Sequence, residues 1–143
     1  MIQRIQSVFL LLAFHLSAIL VFFIDLLKVK GAEVTIYQLF QSNDIVQILI
    51  GAGYVVSGVL ALLSMMLFKK RSTQLKINKI NILLNFLLFG LLLFYLFYLS
   101  GESLDSLKGI GVWVPLGSIV LLFLANRAVQ KDDDLVKSVD RIR

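Results

Sequence analysis

Apolar residues run through this chain in four long blocks, not at the spacing of an amphipathic helix or a half-buried strand. Residues 8–27 hold His15 and Ser17 and meet their first acid at Asp25. Residues 45–68 and 80–99 carry no charge, and residues 109–125 form the shortest block. About 20 mostly apolar residues carry a helix across the hydrocarbon of a bilayer. No water is present there to satisfy backbone N–H and C=O groups, so such blocks are predicted to be helices. Barrel strands would be about ten residues long with strict alternation, and that pattern is absent. The predicted fold is therefore all-α: an integral membrane four-helix bundle, one domain over 1–143, with spans near 8–27, 45–68, 80–99 and 109–125 and a tail at 126–143.

Polar residues between the blocks predict the topology. Residues 69–79 read KKRSTQLKINK, with five cations and no acid. With four spans, this stretch, the N-terminus and the tail lie on one side, and together they hold 11 of the 14 Lys and Arg. The opposite side has Lys28, Lys30 and Lys108, beside acids at Asp25, Glu33, Asp44, Glu102 and Asp105. Excess Lys and Arg marks cytoplasmic loops, so both termini are expected in the cytoplasm. The run of the first block past Ser17–Ala18 fits an uncleaved first span better than a signal peptide.

A polar pentad occurs twice, as IQRIQ at 2–6 and INKIN at 77–81, each at the cytoplasmic entry of a span. Arg4 and Lys79 can lay their stems along apolar surface with the charge near the headgroups. Gln3, Gln6, Asn78 and Asn81 offer amides to headgroups, water or neighbouring helices. Convergent interfacial chemistry and duplication of a two-helix hairpin both explain the repeat. Tyr95, Tyr98 and Trp113 fall where an outer aromatic belt is expected. Residues 32–44, with Val34, Ile36, Leu39 and Phe40 among polar neighbours, are expected either along the outer surface or folded on the bundle.

Within the blocks, Gly53, Ser57 and Ala61 fall four apart, and Gly51 and Gly58 lie on a neighbouring strip. Small residues let helix backbones approach closely. The face serves either packing inside the bundle or a dimer or partner contact. Asn78, Asn81 and Asn85 make one polar stripe, with Asn85 a turn inside the apolar boundary. An unpartnered polar group facing lipid is costly, so the stripe is expected to bond between helices or to line a cavity open to the cytoplasm. His15, the sole histidine, sits midway along its block and can bond a helix carbonyl. Pro115 suits a first helical turn.

The tail, NRAVQKDDDLVKSVDRIR, predicts a short amphipathic cytoplasmic helix. Asp132, Asp133 and Asp134 would open it, and Lys137, Arg141 and Arg143 would suit its C-terminal end. Leu135, Val136, Val139 and Ile142 share a face, and Asp133 is spaced to pair with Lys137. Adjacent acids point apart on a helix, so the DDD run is not read as a metal site.

Composition narrows the function. Charged residues make up 16%, well under the roughly 25% of soluble domains. The chain has no cysteine, which excludes disulfides and thiolate metal sites. No nucleophile–base pair, Gly-rich phosphate loop or zinc spacing occurs, and no cofactor is expected. The basic stretch lacks the aromatic interleaving of a nucleic-acid surface. No Asp, Glu, Lys or Arg lies at the centre of a block, where a proton relay would need one.

The opening MIQRIQSVFLLLA and the closing LANRAVQKDDDLVKSVDRIR resemble a family of small four-span bacterial membrane proteins of unknown function. The resemblance covers the whole chain and is most specific at Met1–Gln6, at Ala125–Asn126–Arg127–Ala128, at Lys131–Asp132 and at Asp140–Arg141–Ile142–Arg143. It implies an inner-membrane location and carries no catalytic residues.

The leading expectation is a non-enzymatic accessory or scaffold subunit of a larger inner-membrane assembly. It would touch lipid and either a membrane-protein partner or copies of itself. Docking would run through a cytoplasmic rim of the two pentads, the tail acids and Asp140, with Arg4 or Lys79 paired to a tail Asp. The alternative is a small oligomeric transporter or channel lined by the Asn stripe and His15.

Overall fold

The computed structural model describes residues 5–29, 32–99 and 109–140. The first helix, α1 (Ile5–Phe14), continues through a π-helical turn at His15–Ile19 and a 3-10 turn at Leu20–Phe22. A hairpin follows, β1 (Leu27–Val29) antiparallel to β2 (Ala32–Val34), with Lys28 opposite Glu33. Then come the short α2 (Ile36–Gln41), α3 (Ile45–Met66), α4 (Arg71–Phe94) with a π-helical turn at Tyr95–Leu99, a 3-10 turn at Ile110–Trp113, and α5 (Val114–Asp140). Among the described residues, four helical segments are long and apolar enough to cross a membrane: Ile5–Phe22, Ile45–Met66, Arg71–Phe97 and Ile110–Leu135.

The four long helices run up and down around a square. α3 packs on α4, α4 on α5, α5 on α1 and α1 on α3, so each neighbour pair is antiparallel. One end carries Lys69, Lys70, Arg71, Lys76, Lys79, Arg127 and Lys131 and is called the basic end below. The other is capped by the hairpin and α2.

Three of the expected bounds are corrected. The first span begins at Ile5 and ends at Phe22, and Leu27 lies in a strand. The alternation of apolar and polar residues around 27–34 favours pairing over helix there. The basic stretch 69–79 is not a loop. Only Leu67–Lys70 joins α3 to α4, with Lys70 N–H bonded to Leu67 O at 2.9 Å, and α4 starts at Arg71. Arg, Gln, Leu and Lys are strong helix formers, and leaving the hydrocarbon does not stop a helix that they continue. The tail is likewise no separate helix. α5 runs unbroken for 27 residues, about 40 Å, and the DDD run sits inside it. With no Gly or Pro after Pro115–Gly117, nothing ends α5 at the predicted boundary.

The capped end is an apolar core. Ile50 and Tyr54 of α3, Leu88, Leu92 and Leu96 of the α4 segment, and Val21, Leu26 and Val112 are buried together with Ile36 and Leu39 of α2. Of the two placements expected for 32–44, the structure takes the folded one. Thr35 and Gln38 form a capping box on α2, and the Asp44 carboxylate accepts from Val46 N–H at 3.0 Å to start α3. The hairpin joins the bundle at Gly111. Its N–H donates to Asp25 O at 3.1 Å, and its carbonyl accepts from the Tyr54 hydroxyl at 2.8 Å. A Cβ at Gly111 would lie 2.5 Å from Leu26 Cα, so only glycine permits this approach.

The small-residue strips of α3 face inward. Ser57, Gly58 and Ala61 are buried. A Cβ at Gly58 would meet Ala18 Cβ at 2.4 Å, and one at Gly53 would meet Leu88 at 2.8 Å. Internal packing, not a free dimer face, accounts for them. Tyr95 is also inside, 7% exposed, and accepts a hydrogen bond from Gln47 Nε2; it leaves the expected aromatic belt because this hydroxyl finds its partner in the core. Trp113 stays half exposed, as the belt requires, and the Tyr98 side chain is outside the described residues.

Candidate functional site

Toward the basic end the core changes chemistry. Among the described residues, ten buried ones are polar: Gln6, Ser17, Ser57, Ser64, Gln74, Asn78, Asn81, Asn85, Ser118 and Asn126. They stack in levels because α3, α4 and α5 each repeat an inward polar residue at about two turns, and the first helix at about three, from Gln6 to Ser17. Ser57 and Ser64 are seven apart, Asn78 and Asn85 are seven apart, and Ser118 and Asn126 are eight apart. Such spacing keeps one face turned to the bundle axis.

The upper level joins all four helices. Ser17 and Ser118 hydroxyls lie 2.8 Å apart, and Ser57 Oγ donates to Ser17 Oγ at 3.5 Å. Asn85 Nδ2 donates to Ser57 Oγ at 2.7 Å and to Asn81 Oδ1 at 2.9 Å. Asn81 Nδ2 in turn reaches the Ser57 carbonyl at 2.9 Å. The π-helical turn of the first helix falls at this level, and its larger number of residues per turn accompanies an inward Ser17 and an outward His15. One level down, Ser64 Oγ donates to Asn78 Oδ1, and Asn78 Nδ2 donates to Asn126 Oδ1 at 2.9 Å. Each such interhelical bond is worth about 0.6–2 kcal/mol in a membrane.

The floor is made by Gln6 on α1 and Gln74 on α4, each 1% exposed. Gln6 lies eleven residues below Ser17, and Gln74 lies eleven below Asn85. Both are thus about 16 Å beneath the upper level. Gln6 Nε2 and Oε1, Gln74 Oε1 and, above them, Asn85 Oδ1 are buried without a partner among the described residues. An orphaned buried amide costs about 1–3 kcal/mol.

Residues 2–142 match one family model. The chain belongs to the family described as Domain of unknown function (DUF4293). The family fits the resemblance read from the chain ends, and it assigns no activity. No match is found among curated proteins or among solved structures.

From the Asn78–Asn126 level to their basic-end tips, α4 and α5 run side by side as a stem. The register that sets Asn78 against Asn126 sets Arg71 against Asp133 one heptad on. Arg71 Nη1 lies 3.4 Å from Asp133 Oδ1. At 21% and 32% side-chain exposure, this pair contributes at most about 0.5 kcal/mol. Grooves of 590 Å³, along Phe68, Lys69 and Arg71, and 510 Å³, along Ser72, Leu75, Lys76 and Lys79, flank Asp133. A third, of 410 Å³, runs along Arg127, Gln130, Lys131, Asp134, Leu135 and Ser138. Past Asp133 there is no α4 left to pair with, so residues 134–140 overhang, with Leu135 58% exposed.

The expected site residues therefore divide. Asn78, Asn81, Asn85, Ser57 and Gln6 come together in the core. Lys79 is exposed on the stem, with Asp132 and Asp133 half-buried and Asp134 exposed. Gln3, Arg4, Arg141 and Arg143 lie outside the described residues, as do the side chains of Lys137 and Asp140. The described cation that pairs with the tail is Arg71, which the rim hypothesis did not name, because 71–79 was read as loop. His15 makes the expected bond to a helix carbonyl, but its place beside the Asn stripe is corrected. It sits on the outer surface of the bundle, bonds Leu11 O through Nδ1 at 3.2 Å and does not join the Asn stripe. Sequence reasoning also missed Ser17, Ser118, Asn126 and Gln74 as core groups. The available signal was their spacing relative to other lone polar residues in apolar blocks.

Proposed function

We propose that the protein is a non-enzymatic subunit of a larger assembly in a bacterial inner membrane, with both termini in the cytoplasm. The four-helix bundle is its mount, and the α4–α5 stem is its docking element. The overhang carries this reading: α5 runs one heptad past the Arg71–Asp133 pair, with Leu135 exposed beside a groove that mixes Arg127, Lys131 and Asp134. A short helix face with apolar and charged positions and, among the described residues, no partner in its own chain suits a protein surface. Its acids favour protein over an anionic lipid surface. Concentration of Lys and Arg at the stem end supports the cytoplasmic orientation.

The test is purification of the full chain from native membranes in mild detergent, with mass spectrometry of what accompanies it. A membrane protein in stoichiometric amount is expected with the full chain and not with a chain lacking 134–143, which keeps Asp133 and the stem. Recovery of the full chain alone would overturn the reading. The alternative of a small transporter draws on the buried polar levels. It loses His15 as a lining residue, and the upper-level groups largely bond one another.

A further inference from the structure

The polar levels pose a problem that docking does not touch. Gln6 and Gln74 are placed as if to seal the basic end, yet three of their four amide atoms have no partner among the described residues. Higher up, Asn85 uses Nδ2 on Ser57 and Asn81 while its Oδ1 meets no partner among the described residues. A glutamine or asparagine turned to lipid could escape to an interface, but these four atoms are inside. Buried amides without partners are rare because each loses its hydration and receives nothing in return. Leucine at these positions would avoid that loss, and the same bundle uses leucine freely at its capped end.

We propose that the basic half of the bundle is a blind hydrated vestibule. Water enters past Gln6 and Gln74, follows Asn78 and Asn126, and ends at Asn85 Oδ1 beneath the Ser17–Ser118 pair. Above that level Tyr54, Leu88 and Leu92 are buried at 0–3% exposure, and this apolar plug closes the path. The wall offers donors and acceptors in mixture and, among the described residues, no charge. A buried water needs two to four such groups, and the levels supply them repeatedly. The site suits water or another small neutral molecule that both donates and accepts hydrogen bonds. Ions find no countercharge here and are excluded by the cost of dehydration. This inference is independent of the docking reading, since it concerns the buried amides and not the overhanging residues 134–140.

Water-edited solid-state NMR of the full chain in bilayers tests it without a probe that must fit the vestibule. Magnetisation passes from water to nearby protein groups, and it is read at the side-chain amides of Gln6, Gln74 and Asn85 and at the methyls of Leu92 and Leu96. The build-up at Asn85 is expected to be at least about threefold faster than at the leucines. Build-up at Asn85 as slow as at Leu92 would overturn the vestibule. In the Gln6→Leu/Gln74→Leu variant the Asn85 build-up should fall toward the leucine rate. An unchanged rate would overturn entry at the floor. If that double variant fails to fold, Gln74→Leu alone carries the same comparison.

Discussion

The two halves of the bundle are held by different forces. At the capped end, leucines, Tyr54 and Val112 pack under α2 and the hairpin, where the chain leaves the membrane and burial still removes apolar surface from water. At the basic end, amides and hydroxyls join the helices level by level. Inside a bilayer, lipid is as apolar as leucine, so apolar contacts between helices do little to choose among registers. Directional bonds do choose. A shift of one residue on α4 would part Asn78 from both Ser64 and Asn126. The polar half thus sets the register that the stem inherits, and the apolar half closes the far side.

Substitutions can break or sharpen this contrast, and the largest effect is expected where both halves depend on one contact. In Gly58→Leu the new side chain meets Ala18 backbone, and the expected loss exceeds about 4 kcal/mol; failure to recover a monodisperse bundle in detergent would show it. Leu92→Ala opens a cavity in the apolar half and should cost about 2–4 kcal/mol in detergent unfolding. No second substitution nearby to another apolar group of similar size should rescue it.

Asn78→Leu should cost about 1–2 kcal/mol, because it strands Asn126 and Ser64. The Asn78→Leu/Asn126→Leu double variant should recover about 1 kcal/mol of the summed single costs. Simple additivity there would mean that the two amides are not coupled, and the contrast between halves would weaken. The smallest effect belongs to Arg71→Ala, at most about 0.5 kcal/mol on unfolding, which separates a stem held by its buried register from one held by its surface ion pair.

Much of this was legible in the residues, and the rest failed for identifiable reasons. Block lengths marked the four spans, because hydrocarbon thickness fixes the length of an apolar run. The spacing of Asn78, Asn81 and Asn85 put them on one face, and Gly53, Ser57 and Ala61 on another. What hydropathy could not show was where α4 and α5 continue outside the hydrocarbon. Arg71–Lys79 and residues 126–140 are polar, and polar residues in water are as compatible with helix as with loop. That is why Arg71 was missed as the cation opposite Asp133. His15 was misplaced because a lone residue carries no periodicity, and the π-helical turn shifts the face it would occupy. Gln6 looked like an interfacial amide and Gln74 went unremarked among the basic residues of 69–79, where hydropathy marks no inward face.

The stem is the claim on which both the register argument and the docking reading rest. Backbone hydrogen exchange along α4 and α5, with the full chain in a bilayer disc, measures it directly. The account predicts residues 71–79 and 126–133 protected nearly as well as the spans, with residues 134–140 exchanging faster in the absence of a partner. Rapid exchange throughout 71–79, as from a loop, would contradict it.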